Sequence, residues 1–379
     1  MVCTICKSNN LGSVYNSILP YSSAILSNTA YGKITKGSFS LVICKECNFV
    51  FNNSFDRKSV DKYYSSENYV VKNILSGNMS KNIQYVFEEI LNRTDNKKVV
   101  IEIGSGRGDF AINLSTKFEK VYTIDPSVDS LENTKKNIKH FNTFFDYKLL
   151  DKIESPNLIV VRHLLEHLED PIKFLQEIDN FITSDDCLVY IEIPNFDEIV
   201  NNSRFYDLFY DHFGYYFQSV FKNILEKTNL KIIDTIEMFD SQHIGYFCKK
   251  NSNKEYNFES NQLSLNFKFE DQKTKINKYL EQYNGILIWG AGAHGLSLFY
   301  SLSERNKNNV LNFIDNDILK QKKFIPETDI QIVSSEVLAK NKCKIILVSA
   351  SLYESEIANK IKSINNKILI LQPSSLKFL

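Results

Sequence analysis

The stretch Lys98-Val-Val-Ile-Glu102-Ile-Gly104-Ser-Gly106-Arg-Gly108 decides the fold of this protein. Its first half is an apolar run that predicts a buried parallel strand. Three glycines at alternate positions follow, and glycine allows both positive φ and close approach of the backbone to a ligand. The segment Asp109–Leu114 then predicts the first turns of a helix. A strand, a glycine-rich turn and a helix in this order predict an α/β domain with a nucleoside-containing ligand at the turn.

The second strand of this domain brings a carboxylate towards the turn. The run Lys120–Ile124 ends in Asp125-Pro126, about 20 residues beyond the first glycine, where a carboxylate can accept both hydroxyls of a ribose. An acidic residue two positions before a tight G-x-G-x-G resembles the pattern of class I methyltransferases. That resemblance implies S-adenosylmethionine as cofactor, with Glu102 in a charged network around the methionine amine. A dinucleotide-binding fold and a turn without ligand are the alternatives. We expect cofactor contacts from Glu102, Gly104, Gly106, Gly108, Asp125 and Pro126.

A third apolar strand, residues 157–161, runs into Arg162-His163-Leu-Leu-Glu-His167-Leu-Glu-Asp-Pro171. This stretch resembles the H-x-x-E-H-x-x-D-P segment after the fourth strand of many small-molecule methyltransferases. Ligands bind at the carboxyl edge of such a sheet, so we expect His163 beside the cofactor and His167 in a catalytic or substrate-binding role. If the segment is helical, the two histidines share a face and could bind a metal, although no third ligand is evident. Packing of the helix is the other alternative.

Four of the seven cysteines form two Cys-x-x-Cys pairs, Cys3 with Cys6 and Cys44 with Cys47. Two such pairs are typical of a tetrahedral zinc site, whose four thiolates leave no position open for a substrate. We therefore predict a structural zinc ion in an N-terminal lobe, which also contains a strand-like run at 37–43. A redox dithiol is the alternative, although it needs only one pair beside a βαβ unit.

Residues 209–217, Phe-Tyr-Asp-His-Phe-Gly-Tyr-Tyr-Phe, concentrate groups that can move protons. A histidine with an ordinary pKa of about 6.5 accepts a proton at neutral pH, and a neighbouring carboxylate can orient it. Phenols can stabilise a developing oxyanion. We expect His212 to act as base, assisted by Asp211, with Tyr210 and Tyr216 in the same catalytic group. A tyrosine-rich turn that packs on the core is the alternative.

The cysteine pairs, the glycine turn and the 209–217 segment occur in the order found in three-domain nucleotide-sugar methyltransferases. The chain resembles that family over nearly its whole length. The family is best known for C-methylation of a keto-deoxysugar attached to a nucleotide diphosphate, so the resemblance implies a base that removes the proton beside the ketone. It places the family's Glu-His pair on Asp211-His212, its histidine after strand four on His167, and its aromatic pair on Tyr215-Tyr216.

Within the methyltransferase core, the chain departs from the family pattern at two places. Asp211 is one methylene shorter than the family's glutamate, and Asp240-Ser-Gln-His243-Ile-Gly-Tyr246 stands where a Gly-Gly-Ser strand motif is usual. This variant resembles a sister group of surface-polysaccharide biosynthesis. The acceptor atom is therefore open between carbon, oxygen and nitrogen, and O- or N-methylation of a sugar or sugar phosphate is the alternative to C-methylation.

Residues 262–379 follow a polar linker and predict a second α/β domain. This domain begins with a helix that we expect over residues 265 to 283. The strand Ile286–Trp289 leads into Gly290-Ala-Gly-Ala-His294-Gly295, and the strand Val310–Ile314 ends in Asp315. Alone, this G-x-G-x-x-G with a distal carboxylate predicts NAD binding, as in a nucleotide-sugar oxidoreductase. In the resembling family the domain caps the substrate cleft instead, with Lys or Arg where His294 stands here.

The chain has 379 residues, 43% hydrophobic and 24% charged, which predicts two or three globular domains. We divide the α/β chain into a zinc-binding lobe (1–70), a class I methyltransferase core of Rossmann-like type (71–250) and the Rossmann-like C-terminal domain (262–379). Its net charge of 0 disfavours nucleic acid as a partner. No apolar run reaches the roughly 18 residues of a membrane span, and no signal-peptide pattern is present, so we expect a cytoplasmic enzyme. A nucleotide sugar is the expected partner, and a non-catalytic scaffold remains an alternative.

Overall fold

The computed structural model describes residues 2–23, 25–64, 77–126, 136–251, 266–339 and 343–378. The first lobe is an antiparallel sheet followed by a helix, and its elements are β1 (Leu11–Pro20), β2 (Lys36–Cys44), β3 (Val50–Asn52) and α1 (Arg57–Tyr64). The predicted run at 37–43 lies within β2. The free edge of β3 pairs with residues Gly214–Tyr215, which are distant in the chain. The cysteine-bearing lobe therefore shares a sheet with the segment that carries His212.

The middle domain alternates strands and helices, as the sequence predicts for its first half. Its elements are α2 (Gly77–Asn92), β4 (Val99–Ile103), α3 (Asp109–Leu114), β5 (Lys120–Ile124), β6 (Ile138–Phe141), β7 (Leu158–Arg162), α4 (Pro171–Phe181), β8 (Leu188–Pro194), α5 (Phe196–Asn201), β9 (Gly214–Tyr215), α6 (Gln218–Leu225), β10 (Leu230–Met238) and β11 (His243–Lys250).

The strands of this domain form one sheet in the order β6-β5-β4-β7-β8-β11-β10. The strands from β6 to β8 are parallel, and β11 is antiparallel to both of its neighbours. The two faces of β4 belong to separate core clusters, since Ile101 packs in one cluster and Val100 in the other. Burial on both faces explains why β4 reads as a continuous apolar run. The antiparallel β11 distinguishes this sheet from the dinucleotide-binding order 3-2-1-4-5-6.

The C-terminal domain is a second, smaller α/β unit. Its elements are α7 (Phe269–Leu280), β12 (Ile286–Trp289), α8 (Ala293–Ser301), α9 (Glu304–Asn308), β13 (Val310–Ile314), β14 (Ile332–Val333), β15 (Ile345–Val348), α10 (Glu354–Ile364), β16 (Leu369–Gln372) and β17 (Lys377–Phe378). The sheet order is β14-β13-β12-β15-β16-β17, parallel up to β16. The predicted helix over 265 to 283 is confirmed as the shorter α7, and most of the predicted linker lies outside the described residues.

Direct contacts join the C-terminal domain to the other two. Ser297 in α8 donates a hydrogen bond to the carbonyl of Leu208 at 3.1 Å, beside the segment that carries His212. Backbone hydrogen bonds between Ser27 and Phe324 connect the domain to the first lobe, at 3.0 and 2.8 Å. Within the described ranges, no helix is both long and apolar enough to cross a membrane.

Candidate active site

The turn between β4 and α3 has the backbone that its glycines predict. Gly104, Gly106 and Gly108 have φ values of 74°, 50° and 76°, in the left-handed region that favours glycine. A Cβ atom at Gly104 would lie 3.1 Å from the Leu164 side chain, whereas one at Gly106 would meet no atom within 4 Å. The turn is therefore packed at its start and open at Gly106, where a ligand can approach the backbone.

Asp125 lies beside this opening, as the sequence predicts. It follows β5, and its Oδ2 accepts a hydrogen bond from the backbone N–H of Gly106 at 2.8 Å. Pro126 comes next and is exposed. The carboxyl ends of β4 and β5 thus bring the open turn and a carboxylate together, in the arrangement that a ribose requires.

Glu102 is buried near the end of β4. Its Oε2 has no hydrogen-bond partner among the described residues, and burial raises the pKa of this carboxyl group to about 8 even though Arg162 opposes the shift. A buried carboxylate without a partner is stabilised by a cation such as the methionine ammonium group. The unsatisfied oxygen of Glu102, the open turn and Asp125 therefore fit the amine and ribose of S-adenosylmethionine.

Glu192, at the end of β8, is the common acceptor of a buried charged network. Its carboxylate accepts hydrogen bonds from Arg162 Nε at 2.7 Å, Arg162 Nη2 at 3.1 Å and the Tyr190 hydroxyl at 3.1 Å, and its Oε1 lies 2.8 Å from His163 Nε2. Burial opposes ionisation of Glu192, but the charges of Arg162 and His163 hold its pKa well below the ordinary value. Burial likewise disfavours a charged His163, but Glu192 and then Glu166 outweigh it and raise the histidine pKa to about 9.

His163 and His167 belong to different clusters, because the segment between them is not an α-helix. His163 has a φ of 51°, and only Leu165–His167 forms a 3₁₀ turn. His163 groups with Glu192 and His243, whose ring lies 4.7 Å from that of His163. The shared helical face for a metal is therefore absent from this segment. His163 nevertheless stands at the carboxyl edge of β7, so its expected contact with the cofactor stays a prediction.

His167 and His212 meet although 44 residues separate them in the chain. Their ring centroids are 4.7 Å apart, and their nitrogens lie within 4.8 Å of a Glu166 oxygen. The Nδ1 atom of His167 donates to the carbonyl of Asp211 at 2.8 Å, which fixes the orientation of the ring. Sequence reasoning placed both histidines at the active site, and the structure brings them together.

The charges in this cluster complement one another. Burial and then the nearby His167 lower the pKa of His212 to about 3, so its imidazole is neutral at physiological pH. Burial opposes ionisation of Glu166, but a hydrogen bond from His163 and the charges of His167 and His163 lower its pKa to about 2. The ordinary pKa that we expected for His212 is therefore corrected: the imidazole is neutral because burial and His167 disfavour its charged form, and Glu166 opposes that shift only in part.

Asp211 has a different position from the expected one. Its Oδ2 accepts a hydrogen bond from the Ser23 hydroxyl at 3.2 Å, and within the described ranges no hydrogen bond joins its carboxylate to His212. Its backbone carbonyl instead orients His167. We expected the Asp211 carboxylate to orient His212, but it is the Asp211 main-chain carbonyl that orients a histidine, and that histidine is His167. Sequence patterns cannot show such a main-chain contact.

The predicted phenols are also engaged by main-chain atoms. The Tyr210 hydroxyl donates to the carbonyl of Ser54, and the Tyr216 hydroxyl donates to the carbonyl of Leu165 at 3.0 Å. Both rings are about 98% buried. Burial raises the pKa of both phenols, so they stay protonated as donors. Tyr216 thereby supports Leu165, the residue next to Glu166, whereas we expected it in the catalytic group.

The four predicted cysteines converge in the first lobe. Their Sγ atoms all lie within 4.8 Å of one another, with Cys3 and Cys47 at 3.5 Å and Cys6 and Cys44 at 3.4 Å. Each pair closes a tight turn that ends in a left-handed residue, and these are Lys7 with a φ of 64° and Asn48 with a φ of 58°. Two matching turns that direct four sulfurs to one point fit the tetrahedral donor set of zinc.

The second glycine turn repeats the first in the C-terminal domain. Gly290 has a φ of 108°, and a Cβ atom at Gly295 would lie 1.9 Å from the Gly290 carbonyl oxygen, so only glycine fits both positions. The Oδ2 atom of Asp315 accepts a hydrogen bond from Ala291 N–H at 2.9 Å, much as Asp125 does from Gly106. Here, however, Lys320 also donates to Asp315 at 3.1 Å.

Sequence reasoning missed Glu166, Glu192 and His243 as members of the site. Glu192 is a charged residue within the apolar run Leu188–Pro194, and a lone charge in such a buried strand marks a paired or functional group. Glu166 lies between the two predicted histidines but was not assigned a role. No local pattern marks His243, which reaches the site through the antiparallel pairing of β11 with β8.

Two family models match parts of the chain. Residues 74–235 match the family model described as a methyltransferase domain, and residues 282–369 match one described as C2185-like, N-terminal. No curated protein matches the chain. A solved S-adenosylmethionine-dependent methyltransferase from Clostridium acetobutylicum ATCC 824 is 14% identical, with 46% of this chain and 92% of that chain covered and a TM-score of 0.38. The N-methyltransferase NodS from Bradyrhizobium japonicum WM9, solved with S-adenosyl-L-homocysteine, is 13% identical, with 51% and 97% covered and a TM-score of 0.37.

The methyltransferase family match covers residues 74–235, which include the glycine turn, Asp125, Glu102 and, except for His243, the members of both histidine clusters. These residues lie at one edge of a sheet whose antiparallel β11 sets it apart from a dinucleotide-binding sheet. The chain therefore contains a class I methyltransferase domain and is an S-adenosylmethionine-dependent methyltransferase.

Proposed function

We propose that this enzyme methylates a carbon atom of a keto-deoxysugar that is linked to a nucleotide, in the biosynthesis of a surface polysaccharide or another glycan. The observation that carries the proposal is the pairing of His212 with His167 beside the ionised Glu166. Transfer to carbon requires removal of a proton from a carbon atom next to a ketone, and a histidine cluster with an adjacent carboxylate suits that task.

Each residue of the cluster has a defined part in this reaction. His212 is neutral and takes the proton from the carbon beside the ketone, which leaves an enolate as the nucleophile. Glu166 stabilises the imidazolium that results, because its carboxylate lies within 4.8 Å of the histidine nitrogens. His167, oriented by the Asp211 carbonyl, positions the acceptor. Bound S-adenosylmethionine supplies the electrophilic methyl group.

Exchange of the proton with solvent tests the carbon acceptor directly. The enzyme is incubated in D2O with a nucleotide-linked keto-deoxysugar and S-adenosylhomocysteine, and the proton beside the ketone is followed by NMR. C-methylation through an enolate predicts its replacement by deuterium. A methylated product that carries an O–CH3 or N–CH3 signal, without exchange, would instead establish the alternative acceptor atom.

The role of His212 has its own test. Replacement of His212 by Ala should slow both exchange and methyl transfer by about 100-fold or more, because a positioned base contributes about 10² to 10⁴ in rate. Cofactor affinity, measured by calorimetry, should not change, since the glycine turn and Asp125 are separate from this cluster. Unchanged exchange in the variant would show that another group is the base.

We also propose that the cysteine cluster holds a structural zinc ion. The support is the convergence of four Sγ atoms from two matching turns. Four thiolates fill a tetrahedron, so the ion would stabilise the first lobe and do no chemistry. Because β3 of that lobe pairs with β9, the ion would also support the segment that carries His212.

A further inference from the structure

A cavity of about 310 Å³ opens at the carboxyl edge of the C-terminal sheet. Its lining includes no residue of the glycine turn in the methyltransferase domain. It is lined by Trp289, the second glycine turn, Asp315 and Lys320, and also by Met79 from α2. Its volume is at the lower end of the range for small-molecule pockets, about 300 to 1,000 Å³. Since the walls come from both α/β domains, a ligand in the cavity would contact both of them.

Gly292 leaves open space in this cavity, although its backbone conformation does not require a glycine. Its φ of −117° and ψ of −167° are open to any residue. A Cβ atom at Gly292 would meet only one atom within 4 Å, the Nζ of Lys320 at 3.9 Å. The turn therefore faces a lysine ammonium group across open space, and any side chain at this position would fill that space.

Lys320 is 7% exposed, and its ammonium group lines the cavity. In the part of the chain that is described, Asp315 is the only acceptor of its hydrogen bonds. An ammonium group has three donors, and a buried charge is costly unless its donors are used. The same carboxylate of Asp315 is already shared with Ala291 N–H. The remaining donors of Lys320 can therefore bind an acceptor atom in the cavity, such as a phosphate oxygen.

The other charged groups of the lining suit a nucleoside. Asp317 and Glu356 also line the cavity, and Asp317 is occupied at one oxygen by Leu319 N–H at 2.9 Å. A carboxylate can accept hydrogen bonds from ribose hydroxyls. Trp289 and Tyr353 provide aromatic surface in the same cavity. Its lining thus offers contacts for a phosphate group, a ribose and a base.

The cavity is connected to the proposed base by consecutive ring contacts. His294 lines the cavity, its ring lies 5.3 Å from that of Phe209, and Phe209 lies 5.0 Å from His212. The His294 ring is held by Asp207, with Nε2 and Oδ1 at 3.3 Å. The cavity and the proposed base are therefore separated by two ring contacts, those of His294 with Phe209 and of Phe209 with His212.

We propose that this cavity binds the nucleoside diphosphate part of the methyl acceptor, with Lys320 on the diphosphate. The proposal rests on the proposed function, because it assigns a subsite to the nucleotide-linked substrate. It gives the second glycine turn a role in holding the acceptor, without any redox reaction in this domain.

Trp289 provides the measurement, because it is the only tryptophan in the chain and it lines the cavity. Its fluorescence is titrated with UDP, dTDP, GDP and ADP, with the corresponding nucleosides, and with NADH. We expect at least one nucleoside diphosphate to change the fluorescence saturably, and to bind at least about tenfold more tightly than its nucleoside, since the nucleoside lacks the charged hydrogen bond with Lys320.

Two variants and one control identify the site. Lys320→Gln should weaken binding of the nucleoside diphosphate by about tenfold or more. Gly292→Leu should abolish binding by filling the cavity. Because this variant keeps the Lys320–Asp315 pair, it tests the site even if Lys320→Gln does not fold. Lys322→Gln, at an exposed position of the same loop, should bind as the native protein does. Unchanged cofactor affinity confirms that each variant is folded.

The outcomes separate this proposal from the proposed function. Binding of a nucleoside diphosphate that Gly292→Leu abolishes supports the subsite, even if no keto sugar is methylated. Methylation of a nucleotide-linked sugar that is unaffected by Lys320→Gln and Gly292→Leu overturns the subsite and leaves the function standing. A response to NADH alone, or no response to any nucleotide, also overturns it.

Discussion

The side-chain amide of Asn52 donates a hydrogen bond to the carbonyl of Tyr210 at 3.1 Å, within the interface of the first lobe and the active site. The backbone N–H of Asn52 donates to the carbonyl of Phe213 at 2.8 Å. One fully buried residue of the cysteine-bearing lobe therefore holds both ends of the tetrapeptide that contains Asp211 and His212. This contact makes the position of His212 depend on a lobe that supplies no residue to the reaction.

We expect Asn52→Ala to lower turnover about tenfold while cofactor affinity stays unchanged. The variant leaves the Tyr210 carbonyl without its donor, and an unsatisfied buried polar group costs about 1 to 3 kcal/mol. Steady-state kinetics and calorimetry measure the two quantities. The neighbouring Asn53→Ala is the matched control, because Asn53 Oδ1 has no hydrogen-bond partner in the described ranges. Equal losses in both variants would argue against a specific role for Asn52.

Metal analysis of the purified protein should find one zinc ion per chain. Cys6→Ser and Cys44→Ser should lower the zinc content, the melting temperature and turnover, because the ion would join the turn before β1 to the turn between β2 and β3, and β3 pairs with β9. Cys343→Ser, in the C-terminal domain, should retain the zinc. A native protein without zinc, or an oxidised pair of cysteines that restores the melting temperature, would support the redox alternative.

Cofactor affinity should increase with pH up to about 8 and then level off. Burial raises the pKa of Glu102 from 4.5 to about 8, so at lower pH the free site holds a proton that the cofactor ammonium must displace. The dissociation constant should rise by up to about tenfold for each pH unit below 8. For the same reason the cofactor-free fold loses stability as the pH rises from 4.5 towards 8, since burial opposes the ionised form.

Glu102→Gln provides the control for this pH dependence. The variant cannot ionise at this position, so its affinity should be weaker at pH 8 and nearly independent of pH between 6 and 8. Calorimetry in buffers of different ionisation enthalpy should also show that proton release on binding is lost. The same pH dependence in the variant and the native protein would assign it to another group, such as His163.

Glu192→Gln should destabilise the protein by about 3 to 5 kcal/mol, because it removes one partner of a buried ion pair and leaves Arg162 uncompensated. The Arg162 side chain is 12% exposed and that of Glu192 is 0% exposed. Urea denaturation followed by circular dichroism measures the loss. Glu154→Gln breaks the exposed pair with Lys120 and should cost less than about 1 kcal/mol. A similar cost for both variants would show that the network is not a stabilising one.

The parts of the protein that sequence patterns predicted are those that the local backbone requires. The strand, the turn and the helix from Val99 to Leu114 follow from an apolar run and from three glycines that need positive φ. Asp125 could be placed beside Gly106 because parallel strands end at one edge of the sheet. The two cysteine pairs were predicted together because a single ion needs four ligands.

The parts that only the tertiary structure decided depend on the pairing of distant strands and on main-chain atoms. His212 lies beside His167 because the backbone carbonyl of Asp211, and not its carboxylate, accepts a hydrogen bond from His167. Glu192 meets Arg162 and His163 through the register of β7 with β8. Asn52 reaches Tyr210 because β3 pairs with β9. Sequence alone determined the glycine turn with its neighbouring carboxylate and the two Cys-x-x-Cys pairs, because these depend on local backbone and on strand ends, whereas the side-chain partners of the active site were set by packing between segments that no local pattern connects.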